Sequence, residues 1–448
     1  MSNHARYKLS RYTVSTELGD GRIALYNTFM GALAVAPAAS RGVLETARVR
    51  ACTKKAFEEA GIGDFCDQGL LVPSDFDERE AVEKLLKRER NGNDLFLILL
   101  PFQGCNFKCL YCYEDLKKMK MTSGVQRGLK RLIRKKAGEL KYLDVGWFGG
   151  EPLLGLDVIR NLSRSFIDSC ARTGCRYKSN MTTNGYDLDL KTFEELHALN
   201  VRKYQITLDG PQQQHDHFRP LVNGGGTYER ILHNILKIKQ SALDFRVMIR
   251  MNFNSDNRVH LAKLLDELTG HFAGDDRFEV SFQPIGKWGG EHDDELNTYD
   301  SDVDSIRNTR LGLEEYALSG GLANSVMRRR LQYHGAICYA ARETSLIVGA
   351  DGSLFKCTVA FNDERNRVGE LKEDGRLVLD AARFEDWTQA ERLDCTKCDD
   401  CAVYPICQSR ACPLNSLDTG EPQCPTVKEE AEELLRLFVH DREKSLSG

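Results

Sequence analysis

Cys105, Cys109 and Cys112 stand within eight residues of chain, in Cys105-Asn106-Phe107-Lys108-Cys109-Leu110-Tyr111-Cys112. Three thiolates at this CxxxCxxC spacing can hold three corners of a cubane iron–sulfur cluster. Ordinary electron-transfer clusters take four cysteines, so a three-cysteine set leaves one iron open to bind something else. A three-cysteine zinc site or incidental thiols are the alternatives. The triplet follows a short apolar run, Leu95 to Phe102, which reads as a buried strand. The cysteines therefore fall on the loop leaving a strand's C-terminal end, where α/β folds build their sites.

The elements that must position them follow the same rhythm. From Asp94 the chain repeats strand, loop and helix. Strands are expected at 95–100, 144–148, 179–183, 204–210, 245–254 and 278–282. Helices are expected at 124–140, 156–170, 190–199, 228–241 and 259–269, the first with Val125, Leu129, Leu132 and Ile133 on one face. Six such units imply a parallel sheet with right-handed crossovers. Upstream, 11–15 and 23–27 flank a Gly19-Asp20-Gly21 turn and read as a hairpin. A helix over 43–60, a strand over 69–73 and a charged helix over 77–90 complete a small α+β unit. Residues 286–330 read as a connecting loop and helix. Regular patterning fades after Cys338, and 426–440 reads as a terminal amphipathic helix.

Composition narrows the class. The chain has 448 residues, 41% of them apolar, a formal charge of −4 and 15 cysteines. That length allows two to four domains. The charge argues against a general nucleic-acid binder, because phosphate contacts need a basic face. No run of apolar residues is long enough to span a membrane, and the N-terminus lacks the apolar core of a signal peptide. A cytoplasmic protein without membrane attachment is expected. In a reducing cytosol cysteines serve more often as metal ligands than as disulfides. Three cluster at 105–112 and eight fall from Cys338 to Cys424. Cys52, Cys66, Cys170 and Cys175 are scattered and read as ordinary buried or half-buried thiols.

Small polar motifs end the next strands. In Gly149-Gly150-Glu151-Pro152, the glycines let a backbone approach a ligand closely, and the carboxylate can accept hydrogen bonds from an ammonium group. Thr183-Asn184-Gly185 and Thr207-Leu208-Asp209-Gly210 reach the same rim, although Asn-Gly and Asp-Gly are also ordinary turn pairs. Arg219 could pair with a carboxylate or form a surface ion pair. His215 and His217 read as solvated loop histidines, having no cysteine partner nearby.

The cysteine spacing, with an aromatic (Tyr111) just before the last cysteine, resembles the signature of the radical S-adenosylmethionine (SAM) superfamily. The resemblance spans about residues 94–425. It implies a partial (β/α)6 TIM barrel at 94–330, preceded by a small α+β N-terminal domain at 1–93. A cysteine-rich iron–sulfur domain at 331–427 and a C-terminal helix at 428–448 would follow. It implies a [4Fe–4S] cluster on Cys105, Cys109 and Cys112 whose open iron binds the amino and carboxylate groups of SAM. One electron then breaks the sulfonium bond and yields a 5′-deoxyadenosyl radical. Gly149, Gly150 and Glu151 would contact the SAM amino group, and Thr207 its nucleoside or carboxylate end. Asn184 and Asp209 would bind SAM or substrate, and Tyr111 and Arg219 join this cofactor-binding set.

Downstream, Cys338-x13-Gly352-x4-Cys357, then Cys398-x2-Cys401-x5-Cys407-x4-Cys412, then Cys424, resembles the SPASM domain, with one extra residue before Cys412. By that resemblance Cys398, Cys401, Cys407 and Cys424 bind one auxiliary [4Fe–4S] cluster, and Cys338, Cys357 and Cys412 bind another. Thr344 stands where some relatives supply a further cysteine, which leaves an open iron or a role for Cys395 or a substrate thiolate. A pair of zinc ribbons is the alternative.

The chain is most similar to maturases of ribosomally made peptides. The resemblance implies a precursor peptide as substrate, a flavodoxin or ferredoxin as electron donor, and an oxidative crosslink, thioether or carbon–carbon, as product. A small-molecule dehydrogenase or epimerase, or an enzyme like the anaerobic sulfatase maturases, is the alternative. A non-catalytic iron–sulfur carrier would leave the Gly-Gly-Glu-Pro motif unexplained. In sulfatase maturases an acid follows the cysteine equivalent to Cys357 and acts as a base. Thr358 stands there, with Asp351 and Asp363 nearby in sequence. Many peptide-modifying relatives carry a leader-gripping winged-helix domain where residues 1–93 stand; a structural cap on the barrel is the alternative.

Overall fold

The computed structural model describes residues 5–90, 92–114, 118–288, 293–296, 302–333, 335–388 and 396–447. The chain forms two compact units, one of residues 93–324 and 342–388, the other of residues 1–92, 325–341 and 389–448.

The first unit is built on a mixed sheet. Its core strands are β1 (Asp94–Gln103), β2 (Tyr142–Gly149), β3 (Arg176–Thr183), β4 (Val201–Thr207), β5 (Arg246–Phe253) and β6 (Phe278–Pro284). All five neighbouring pairs are parallel and follow chain order, as the partial (β/α)6 reading requires. Leu97, Ile98, Leu99 and Leu100 of β1 are all buried, as in a parallel strand covered on both faces. The crossovers carry helices α1 (Ser123–Lys136), α2 (Leu156–Thr173), α3 (Leu190–Ala198), α4 (Gln212–Phe218), α5 (Tyr228–Lys239) and α6 (Leu261–Phe272), and α7 (Val303–Ser319) follows β6. Helix α1 starts where the Thr122 side chain accepts from the Val125 amide and buries Val125, Leu129, Leu132 and Ile133, the face its spacing predicts.

The sheet does not end at β1. Strand β7 (Ser345–Val348) adds parallel to the far side of β1. An antiparallel meander, β8 (Ser353–Phe355), β9 (Arg367–Leu371) and β10 (Leu377–Leu379), extends it. These strands lie where the sequence pattern fades.

In the second unit, Thr13–Glu17 and Ile23–Asn27 form the expected hairpin, and Leu33–Ala36 adds a third strand. Arg6–Leu9 pairs with Cys52–Thr53 and Leu71–Pro73. The helix expected over 43–60 is two helices, Arg41–Val49 and Lys54–Glu59. Arg50 turns extended, Cys52–Thr53 joins the sheet, and the Thr53 side chain accepts from the Ala56 amide to start the second helix. A threonine that captures a backbone amide competes with helix continuation. The C-terminal helix Val427–Ser447 places Phe438 against Tyr26, ring centroids 6.0 Å apart. Tyr12, Val82 and Tyr404 make a small core on which Cys398 and Cys401 pack. Among the described residues no helix is long and apolar enough to cross a membrane.

Candidate active site

The C-terminal ends of β1 to β6 surround a cavity of about 380 Å3, within the range of small-molecule and cofactor sites. Cys105, Cys109 and Cys112 line it, with Tyr111, Gly149, Gly150, Asn184, Thr207 and Arg219. Glu151 and Asp209 do not; both are fully buried behind the wall.

The cysteine loop is held by backbone pairing. Lys108 and Leu110 donate to the carbonyls of Pro220 and Phe218 at 2.9 Å, and Val222 donates to Asn106 at 3.0 Å. The segment after α4 is thus a second rail for the loop. The Asn184 amide group donates to Asn106 Oδ1 at 2.7 Å and stands 3.8 Å from Cys105 Sγ. Burial pushes the Cys105 and Cys112 thiols up to about 12 and raises Cys109 as well. Ligation by a metal deprotonates such thiols.

Two glycines bring this loop against β2. A Cβ at Gly150 would stand 2.3 Å from the Gly104 carbonyl oxygen, and one at Gly149, where φ is +114°, 2.6 Å from that of Phe102. The close approach the glycines permit is therefore that of the backbone just before Cys105. Glu151 continues the join: its amide donates to Gly104 O at 2.8 Å. Its carboxylate accepts from Leu153 N at 2.9 Å, Thr183 Oγ1 at 2.8 Å and Asn184 N at 2.8 Å. Burial raises its pKa to about 7 against the pull of these donors. Glu151 thus ties the ends of β2 and β3 together.

Tyr111, Asp209 and Arg219 form a closed network. The Tyr111 hydroxyl donates to Asp209 Oδ2 and accepts from Arg219 Nη1 at 2.6 Å and Asn252 Nδ2 at 3.0 Å. Asp209 Oδ1 accepts from the Asn252 amide at 2.7 Å, and Arg219 Nη1 lies 3.9 Å from Asp209 Oδ2. His215 supports it. It is fully buried, which corrects the expectation of a solvated histidine; His217 is exposed as expected. The His215 ring accepts from the Asp209 amide at Nδ1 (3.3 Å), and its Nε2 meets Thr227 Oγ1 at 3.1 Å. Since Thr227 Oγ1 donates to Arg219 O, Nε2 carries the proton. Burial, then the Arg219 charge, keeps the ring neutral by lowering its pKa well below 6.5.

Several cavity residues escape the motif reading, four of them with side chains of chemical interest. Gln205 and Arg250 project from β4 and β5, Trp288 follows β6, and Glu114 stands two residues past Cys112. The first two occupy strand positions facing the rim, a signal that the strand count alone makes available. Glu114 Oε2 is buried without a partner, as is Arg219 Nε. Burial, with Glu151 nearby, raises the Glu114 carboxyl to about 8. Asp351 accepts from Ser353 N and Oγ at 2.9 Å, and Asp363 pairs with Arg365 at 2.6 Å, so both acids near Thr358 bind within their own loops.

The C-terminal cysteines divide between the units. Cys398, Cys401, Cys407 and Cys424 line one small pocket with Lys397 and Lys428. The Cys338 amide donates to Arg410 O at 3.0 Å, in the segment leading to Cys412. Cys357 belongs to the barrel unit. Buried Asn366 holds it: Oδ1 accepts from the Lys356 and Cys357 amides at 2.9 and 2.8 Å, and Nδ2 donates to Cys357 O and Ala360 O at 2.8 Å. Cys395 lies outside the described residues. Among those described, no three of His, Cys, Asp and Glu converge closely enough for a single metal ion; a cubane, whose irons spread its ligands, asks for a wider ring.

Comparison with known proteins gives the same region a family. Residues 99–268 match the model of the Radical SAM superfamily. The chain is 24% identical over 357 residues to a serine-type anaerobic sulfatase-maturating enzyme of Klebsiella aerogenes, covering 75% of this chain and 84% of the relative. It is 23% identical over 335 residues to a cysteine-type one of Clostridium novyi (strain NT), covering 70% and 86%. Its fold is similar to that of anSMEcpe with bound AdoMet and the Cp18Cys peptide, with a TM-score of 0.59 at 17% identity over 78% of this chain and 99% of that one. It is also similar to Streptococcus suis SuiB bound to precursor peptide SuiA, with 0.52 at 14% identity over 93% and 98%. A cluster and SAM, which the matched family implies, fit the residues present. Three thiols and two glycines share one cavity, and unpartnered polar atoms remain buried at its wall.

Proposed function

We propose that this chain, a radical SAM enzyme by its family match and its cysteine signature, is a maturase that makes an oxidative change in a peptide or protein, a thioether or carbon–carbon crosslink. The observation that carries the reading is the joint placement of Cys105, Cys109, Cys112, Gly149 and Gly150 on one cavity at the strand ends. When bound there, the cluster and SAM supply a 5′-deoxyadenosyl radical that removes hydrogen from an unactivated carbon. The protein's part is geometry and exclusion of water. Tyr111, Asp209 and Arg219 fix the cysteine loop against β4 and β5. Glu151 and the two glycines fix it against β2 and β3. Thr207, Gln205 and Arg250 present polar groups to whatever enters above the cysteines.

Bond formation from a substrate radical releases an electron. Cys398, Cys401, Cys407 and Cys424 would hold an auxiliary cluster able to accept it. The shared pocket of the four supports this assignment. A flavodoxin or ferredoxin would supply the starting electron. The peptide substrate is supported by likeness to enzymes whose printed names are sulfatase-maturating and to structures holding peptides.

The same likeness favours a second reading, oxidation of a serine or cysteine in a protein target. Thr358 in place of the expected acid, and the local engagement of Asp351 and Asp363, count against it. One experiment separates them. The enzyme is incubated anaerobically with SAM, a reductant and the short peptide encoded beside its gene, and the peptide is weighed. Loss of two hydrogens, abolished by Cys105→Ala, with the new bond located by fragmentation, supports the crosslink. An unchanged peptide while 5′-deoxyadenosine still forms would overturn it, and conversion of a sulfatase-type serine or cysteine peptide would establish the second reading.

A further inference from the structure

Two polar side chains at the C-terminal cysteine pocket have no place in the mechanism above. Cys398, Cys401, Cys407 and Cys424 line that pocket with no carboxylate or imidazole among them, a donor set that suits an iron–sulfur cluster or zinc. Lys428, on the C-terminal helix, places its ammonium 3.5 Å from Cys424 Sγ. An ammonium carries donors only, so the sulfur accepts. Ser409 Oγ stands 3.2 Å from Cys398 Sγ. A ligating cysteine is a thiolate, so there the hydroxyl donates. Gln408 and Ser409 both take left-handed backbone, with φ of +50° and +61°, which residues other than glycine rarely adopt. That turn returns the Ser409 side chain to a cysteine eleven residues earlier.

The other charges around the pocket are engaged elsewhere. Lys397 pairs with Glu421 at 3.5 Å, Asp399 with Arg79 at 3.8 Å and Asp400 with Arg11 at 2.6 Å. Arg79 also donates to Glu83 at 2.7 Å and to the Cys398 carbonyl at 3.3 Å. Among the described residues no carboxylate pairs with Lys428, whose contact is the Cys424 sulfur.

We propose that Lys428 and Ser409 are positioning residues that raise the reduction potential of a cluster held by these four cysteines, each through a hydrogen bond to a ligand sulfur. The inference rests on the auxiliary-cluster reading given above. Reduction adds negative charge to the cluster and its thiolates. A donor to sulfur, above all a cationic one, therefore stabilises the reduced form more than the oxidised form. Both contacts favour uptake of the electron that a substrate radical gives up when its new bond forms.

The test uses the full-length enzyme, reconstituted anaerobically, with Cys105→Ala, Cys109→Ala and Cys112→Ala as the parent background. Iron and zinc are counted in every sample. The EPR signal lost on adding Cys401→Ala identifies the cluster, and a potentiometric titration gives its midpoint. With iron content equal, Lys428→Met should lower the reduced-to-oxidised ratio at fixed potential about fivefold, a midpoint about 40 mV lower for one electron. Ser409→Ala, which removes a neutral donor, should lower that ratio about threefold. Lys428→Arg, which keeps a charged donor, should stay within about twofold of the parent. An unmoved or raised midpoint in either Lys428→Met or Ser409→Ala would overturn the proposal. Loss of iron from these variants would also overturn it, by making the two residues supports of the cysteine loop. A parent from which Cys401→Ala removes zinc, or removes no EPR signal, would instead overturn the auxiliary-cluster reading.

Discussion

Replacing Tyr111 with phenylalanine removes one oxygen from the point where the cysteine loop, the end of β4, β5 and the segment after α4 meet. Three hydrogen bonds disappear, one to the Asp209 carboxylate, one from the Arg219 guanidinium and one from the Asn252 amide. Bonds to charged groups contribute ~1.5–3 kcal/mol each and a neutral one ~1 kcal/mol, a ceiling of ~4–7 kcal/mol. Part of this is recovered, because Arg219 Nη1 already lies 3.9 Å from Asp209 Oδ2 and can close on it. Asp209 also keeps the Asn252 amide bond at 2.7 Å, and the phenyl ring keeps its packing. A net loss of about 3 kcal/mol is expected, roughly 5–10 °C in the melting temperature of the barrel unit.

The assay is built into the chain. All three tryptophans, Trp147, Trp288 and Trp387, lie in the barrel unit, so tryptophan fluorescence in a urea titration reports that unit alone. The measurement is made on metal-free, SAM-free protein, where a ligand contact contributes nothing. A cycle with Asp209→Asn should return a coupling energy above about 1 kcal/mol. If Tyr111→Phe leaves the metal-free protein within about 0.5 kcal/mol of wild type and only weakens SAM binding, the hydroxyl is a cofactor contact and the network reasoning fails.

Other perturbations follow from the same contacts. Gly150→Ala places a Cβ 2.3 Å from Gly104 O; it should cost more than about 3 kcal/mol and strip iron from the Cys105 site, and an alanine variant with full iron would refute the close-approach argument. His215 is neutral in the fold because burial lowers its pKa well below 6.5. Below that pH the unfolded chain binds a proton that the fold does not, so stability present above it is lost as pH falls, by up to ~1.4 kcal/mol per unit. Urea midpoints at about pH 7.5 and 5.5 should differ less in His215→Gln than in wild type, and an equal difference would sink the assignment. Asn366→Ala removes four hydrogen bonds around Cys357, about 2–4 kcal/mol; Cys357 in metal-free protein should then alkylate faster by mass spectrometry, and unchanged protection would contradict its role as a clamp.

These predictions mark where reading the chain stops and folding begins. The six strands and the face of α1 were legible because burial on both sides of a parallel strand leaves a continuous apolar run, and a helix face repeats on its own pitch. Strands β7 to β10 were not, since three to five residues carry no periodicity and their pairing is decided by partners far away in the chain. The break at Val49 needed knowledge that Cys52–Thr53 would find Arg6–Tyr7. At the site, residue types named the right neighbourhood but not which groups were already satisfied. Tyr111 meets Asp209, Arg219 and Asn252 across 98, 108 and 141 residues, a closure no local pattern contains. Glu151 belongs to a conspicuous motif, and its carboxylate is filled by donors of its own chain. Glu114 belongs to none, and its Oε2, like Arg219 Nε, is buried at the cavity wall without a partner. A conspicuous motif therefore does not tell whether its groups are free to meet a ligand. Glu151→Gln should accordingly lower the stability of the metal-free barrel, because its three donors lose a charged acceptor, and an unchanged urea midpoint would refute the tie between β2 and β3.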